Sequence, residues 1–79
     1  MKPSSKPLLI RDAATLGQAV RERRKRDGLT LVEAAGLTNL GVRFLSELEN
    51  GKPTVRLDKL MRVLEASGLQ LQLVERSGR

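Results

Sequence analysis

Arg43, Ser46, Glu47, Asn50 and Lys52 crowd one short stretch of the chain, and their types suit recognition of polar edges and oxyanions rather than bond making. An arginine offers a planar fork of donors for two adjacent acceptors, and a lysine offers a point charge for an oxyanion. Covalent and metal chemistry lack the means. The chain has no cysteine and no histidine, which removes disulfides, thiolate metal sites and imidazole acid–base work. Asp12, Asp27, Asp58 and the glutamates fall mostly at caps or exposed helical positions. They form no converging pair, and the chain has no glycine-rich phosphate loop. No enzyme activity, metal or cofactor is expected.

At 79 residues and a net charge of +6, the chain is one small basic domain whose charge favours a polyanionic partner. Arg21, Arg23, Arg24, Lys25 and Arg26 cluster in one place, while Arg43, Lys52, Arg56, Lys59 and Arg62 flank the stretch above. The single aromatic residue, Phe44, is too little for a platform on which single-stranded bases stack. No apolar run approaches the ~20 residues of a membrane span, and the start lacks a secretory apolar region. No membrane association and a cytoplasmic location are expected.

The elements that must hold these side chains follow from periodicity and punctuation. Residues 1–7 are expected to be a disordered basic tail, and 76–79 a second disordered tail. Leu8-Leu9-Ile10 leads to Asp12, an N-cap for a helix over 13–26 that buries Leu16, Ala19, Val20 and the stem of Arg23. Asp27-Gly28 ends it. Thr30 and Glu33 have the spacing of a capping box for a second helix reaching residue 38. Asn39 suits a left-handed turn, Leu40 plugs it, and Gly41 caps the next helix. That third helix, over 42–49, places Phe44, Leu45 and Leu48 on its inner side. Arg43, Ser46, Glu47 and Asn50 face outward, with Val42 on the flank. Gly51 and Pro53 stop it. A fourth helix over 57–67 is expected to turn Leu57, Leu60, Met61 and Leu64 inward. Leu69-Gln70-Leu71-Gln72-Leu73 then alternates as a strand does. A lone strand needs a partner, either Leu8-Leu9-Ile10 or the same strand of a second copy. The second copy is preferred, because it would also complete a small core. The domain proper is thus expected over 8–68 and the dimerising strand, carrying Leu69, Leu71 and Leu73, over 69–75.

The sequence resembles the Xre/Cro-type helix-turn-helix family and, within it, the HipB-like antitoxins. The resemblance rests on Gly28-Leu29-Thr30, Glu33-Ala34-Ala35, Asn39-Leu40, and the run from Phe44 through Glu49-Asn50-Gly51-Lys52-Pro53-Thr54. It continues through Val55-Arg56-Leu57-Asp58-Lys59-Leu60 and Val63-Leu64-Glu65-Ala66, covering residues 10–73. The resemblance implies an all-α, lambda-repressor-like bundle of four to five helices with a short C-terminal β-strand pairing across a homodimer. It also implies a palindromic double-stranded DNA operator, often autoregulatory, and a HipA-like serine/threonine kinase toxin as partner. Two positions depart from the family. Leu31 stands where a DNA-contacting glutamine usually follows the capping threonine, and Gly41 stands where the third helix usually has a polar cap.

On this reading Arg43, Glu47 and Val42 are the base-reading candidates, facing a guanine edge, a cytosine amino group and a thymine methyl respectively. The alternatives are an Arg43–Glu47 pair one helical turn apart, and a Glu47 that only repels phosphate. Thr30, Ser46, Asn50 and Lys52 are candidates for phosphate and backbone contact. Phe44 is assigned to the core. The resemblance implies a structural salt bridge between Arg24 and Glu49, while Arg21, Lys25 and Arg26 are solvated or loosely electrostatic. The expected function is a sequence-specific repressor and antitoxin. A stand-alone phage-type repressor and a kinase-neutralising interaction module are the alternatives.

Overall fold

The computed structural model describes residues 7–76 as four helices in the order α1 (Ala13–Arg26), α2 (Leu31–Thr38), α3 (Val42–Glu49) and α4 (Leu57–Ala66). Each boundary has a local cause. Asp12 caps α1, its carboxylate accepting from the Thr15 amide at 2.8 Å and the Thr15 hydroxyl at 2.7 Å. Gly28, at φ +73°, turns the chain out of the helix. At α2 the box is closed both ways: the Glu33 amide donates to Thr30 Oγ1 at 3.1 Å, and the Thr30 amide donates to Glu33 Oε1 at 2.8 Å. This satisfies two of the donors that a helix start leaves free. Asn39 takes the left-handed conformation, with φ 59° and ψ 38°, and ends α2.

The core is built from Val20, Ala35, Leu45, Leu48, Leu60, Val63 and Leu64, with Leu16, Leu31, Ala34, Leu40, Phe44, Val55 and Leu69 packed partly against it. Leu45 is its most enclosed side chain. Helix α3 lies against α1 and α2, and α2 touches α4. Thr38 is the polar residue beneath the turn, its hydroxyl satisfied by donation to the Ala34 carbonyl at 2.9 Å.

Three expectations require correction or restriction. Leu57 and Met61 were expected inward, but they are exposed, and Val63 takes the inner position beside Leu60 and Leu64. The inner stripe of α4 is therefore 60, 63 and 64, because the helices packed on it cover only one flank. Residues 69–76 form neither helix nor ladder within the protomer, and Leu8 and Leu9 are exposed instead of pairing with them. One strand cannot satisfy its own backbone edge, and nothing else among the described residues offers one. Four helices occur among the described residues, within the four to five expected. The basic tail read at the start lies, apart from Pro7, outside them, as does the end beyond Arg76.

A methyl added at Gly36 would meet no atom within 4 Å. Gly36→Ala is therefore expected to stabilise the fold by about 0.5–1 kcal/mol, through helix propensity and a less flexible unfolded chain. Urea denaturation measures this directly, and a loss of stability would show that α2 is held under a constraint that this geometry lacks.

Candidate nucleic-acid interface

Helix α3 divides cleanly because Leu45 and Leu48 are buried at positions one turn apart. Their burial turns Val42, Arg43, Ser46, Glu47 and Asn50 to the outer side. Val42 is 40% exposed, and the side chain of Arg43 is 91% exposed. Ser46 is half-buried, Asn50 is exposed, and the Asn50 amide reaches the Ser46 hydroxyl at a long 3.5 Å. Beyond the helix, Gly51 takes φ +84° and returns the chain so that Lys52 sits beside the same strip.

A shared carboxylate links these residues. Arg43 Nε donates to Glu47 Oε2 at 3.3 Å, and Lys52 Nζ donates to Glu47 Oε1 at 3.2 Å. The Lys52 ammonium, and secondarily Arg43, hold the Glu47 carboxyl below its ordinary value against an opposing desolvation. The strip thus combines a forked donor, an acceptor and a point charge, all reachable from solvent.

The orientation of that strip depends on a pair on the opposite flank. Arg24 Nε donates to Glu49 Oε2 at 2.7 Å, and Nη2 donates to Glu49 Oε1 at 2.8 Å. The third arm, Nη1, donates to the Leu29 carbonyl at 2.9 Å. One guanidinium therefore ties the end of α1, the α1–α2 loop and the exit of α3. The Glu49 hydrogen bonds raise the arginine's already high pKa against the desolvation that burial brings. With side-chain exposures of 14% and 5%, the pair is interior and takes no part in the outer strip.

Close approach of α1 is the feature that sequence reasoning missed. Gly17 is buried where α1 meets the last turn of α3, and a methyl there would lie 2.8 Å from the Glu49 carbonyl oxygen and nearer still to that of Leu48. A glycine inside a helical pattern was the available signal.

Beside the strip lies a groove of about 180 Å³ whose rim carries Phe44, Glu47, Lys52, Thr54, Arg56 and Lys59. Phe44 is half-buried: it packs against the core, while Lys59 Nζ stands 5.5 Å from its ring centroid. Arg56 is occupied by Asp58 through bonds of 3.1 and 2.6 Å. At the start of α2, the Thr30 hydroxyl is engaged in the capping box, and Leu31 is half-buried against the core. Leu69 packs on the core, whereas Leu71 and Leu73 are 49% and 99% exposed. The described residues contain no cluster of three or more potential metal ligands, and none of their helices is long and apolar enough to cross a membrane.

Comparison with known proteins gives concordant results. The family model described as helix-turn-helix domain matches residues 15–76. An uncharacterised HTH-type transcriptional regulator of Sinorhizobium fredii, y4mF, is 37% identical over 65 residues, spanning 82% of this chain and 86% of that one. Among solved structures, the clp gene regulator ClgR from C. glutamicum is 35% identical with a TM-score of 0.67, over 87% of this chain and 85% of its own. A HipB–O2 20mer complex superposes with a TM-score of 0.80 at 21% identity, over 89% of this chain and 97% of that one. A HipA–HipB–O2–O3 complex gives 0.78 at 22% identity, over 86% and 96%.

Proposed function

This chain belongs to the helix-turn-helix domain family and is a helix-turn-helix transcriptional regulator; from that premise we propose that it represses transcription as a homodimer bound to a palindromic DNA operator. The observation that carries the reading is the outward strip of α3, with Arg43 held clear of the protein by buried Leu45 and Leu48. In the proposed complex, two copies of α3 enter successive major grooves about one helical turn of DNA apart. Arg43 addresses a guanine edge, Val42 a thymine methyl, and Glu47 lies beside them. Lys52, Asn50, Ser46 and the helix start behind Thr30 meet phosphates and fix the register. Repression follows from occupancy.

The dimer is proposed from the apolar surface that the protomer leaves open. Leu57, Met61, Leu71, Leu73 and Val74 are all substantially exposed, and Met61, Leu64, Leu69 and Leu71 line an open groove. Pairing of residues 69–75 with the same segment of a second copy would satisfy the strand edge and cover these side chains. The antitoxin role rests on resemblance to the HipB-like proteins and on the likeness of fold to HipB in its HipA complex. It assigns this chain a HipA-like kinase toxin as partner.

Three features favour a second reading, an interaction module whose DNA binding is secondary. Leu31 turns towards the core, Gly41 supplies no side-chain cap, and Val32 and Leu37 on α2 are 68% and 69% exposed. A stand-alone repressor without a toxin is the simpler variant of the first reading. Recovery of a kinase with this chain from its own cells supports the antitoxin role.

The direct test is titration on a duplex selected from a random library and on a shuffled duplex. Arg43→Ala is expected to weaken binding by about 1–3 kcal/mol on the selected duplex and to relax preference at one base position. Lys52→Ala is expected to weaken both duplexes alike and to flatten the salt dependence. Equal losses on both duplexes for Arg43→Ala would remove it from base reading.

A further inference from the structure

Two asparagines occur in the chain, Asn39 before Leu40 and Asn50 before Gly51. An asparagine side-chain amide is open to attack by the backbone nitrogen of the residue that follows it. A side chain on that residue crowds the attack, and glycine has none. Asn50 is exposed to water at the exit of α3, and its side chain has only the long 3.5 Å contact to Ser46. Gly51 is fixed as glycine by the fold, because its φ is +84° and a Cβ there would lie 2.9 Å from the Ala14 Cα. The neighbour that most favours the reaction is therefore one that the packing against α1 requires.

The closed geometry opposes the attack. Asn50 sits at ψ 5°, which places the Gly51 nitrogen beside the Asn50 nitrogen and away from the side-chain carbon it would reach. The Gly51 amide donates to the Leu48 carbonyl at 3.1 Å, and the Lys52 amide donates to the Glu47 carbonyl at 3.0 Å. Ring closure needs ψ to swing round, and both bonds break with that swing. We propose that Asn50–Gly51 is a site of spontaneous deamidation, held off by the closed exit of α3 and released when that turn opens. The Gly51 nitrogen bonds to Asn50 Cγ, the Cγ–Nδ2 bond breaks, and ammonia leaves with the Gly51 amide proton. Solvent water then opens the cyclic imide at either carbonyl, leaving an aspartyl or isoaspartyl residue at position 50. Either product puts a carboxylate on the outer strip that carries Glu47 and Lys52. The isoaspartyl form also routes the backbone through Cβ, so the turn cannot regain its register. Opening of the turn thus becomes a permanent loss of positive character where the chain is proposed to meet phosphate, and a bound duplex slows that loss. This consequence rests on the proposed docking with DNA, whereas the chemistry does not.

The test incubates the full chain at mildly alkaline pH, alone, in guanidinium chloride and with the selected duplex. Peptide mapping that separates asparaginyl, aspartyl and isoaspartyl forms follows each sample. In denaturant, position 50 is expected to convert while Asn39 persists. In the folded chain the conversion should be slower by about tenfold or more, because the group reacts only from the open state. Asn50→Asp, checked for folding by thermal melt, stands in for the aspartyl product. It should weaken binding to the selected and shuffled duplexes alike by about three- to tenfold, with a flatter salt dependence. Equal rates in the folded and unfolded chain, or no conversion at position 50 in denaturant, would overturn the proposal. Unchanged affinity in Asn50→Asp, or a rate that saturating duplex leaves unaltered, would overturn its link to DNA binding. A wild type that binds neither duplex would end the regulator reading, while the conversion seen by mapping would stand.

Discussion

Arg24→Ala is expected to lower the free energy of unfolding by about 3–5 kcal/mol, the usual consequence of stranding one partner of a buried ion pair. Glu49 would lose both hydrogen bonds, of 2.7 and 2.8 Å, while remaining 5% exposed, and the Leu29 carbonyl would lose its 2.9 Å donor. The three-way tie between α1, the α1–α2 loop and α3 would go with them. Small domains have about 5–15 kcal/mol in total, so the variant should be marginal at room temperature. Its loss of DNA binding would follow from loss of the fold. Urea denaturation gives the magnitude. Replacing Arg24 and Glu49 together by methionines should recover much of the stability, because removing both charges ends the desolvation problem. A single-variant loss below about 1 kcal/mol, the range of exposed pairs, would mean that water reaches Glu49 and that the tie is not interior.

Gly17→Ala is expected to destabilise by about 3 kcal/mol, the upper part of the usual range for overpacking. Helix propensity argues the other way, since alanine in a helix interior gains about 1 kcal/mol over glycine. Geometry decides the sign. The obstructing atoms are the carbonyl oxygens of Leu48 and Glu49, which belong to backbone and cannot rotate aside. Relief requires α1 and α3 to separate, and that movement would disturb both the Arg24–Glu49 pair and the angle of the outer strip. The matched variant, Gly36→Ala, has open space and the opposite expected sign, so the two together separate propensity from packing. Comparison of urea midpoints is sufficient. A Gly17→Ala protein as stable as wild type would show that the helices can part without penalty.

The limits of α1, α2 and α3 were legible because the signals lie within a few residues of one another. Asp12, the Thr30–Glu33 box, Asn39 and Gly51 act on adjacent backbone, whatever the remainder of the chain does. The outward placement of Arg43, Glu47 and Asn50 followed from helical geometry as soon as Leu45 and Leu48 were assigned to the interior. The inner face of α4 was less legible. Leu57, Leu60, Met61, Val63 and Leu64 make an apolar arc wider than one face, and periodicity cannot say which flank a neighbour covers. The alternation after Gly68 marks a propensity to pair, but a propensity forms no ladder without a second edge.

From the sequence alone come the helices, their caps and the charged strip, since these depend on neighbours a turn or less away. Tertiary structure alone decided that Gly17 lies against the carbonyls of α3, that Lys52 comes round to share Glu47 with Arg43, and that Leu57 and Met61 stay outside. These depend on where distant segments meet. A one-dimensional pattern records each residue's preference for burial or pairing, whereas the partner that satisfies it is chosen by the packing of the whole chain.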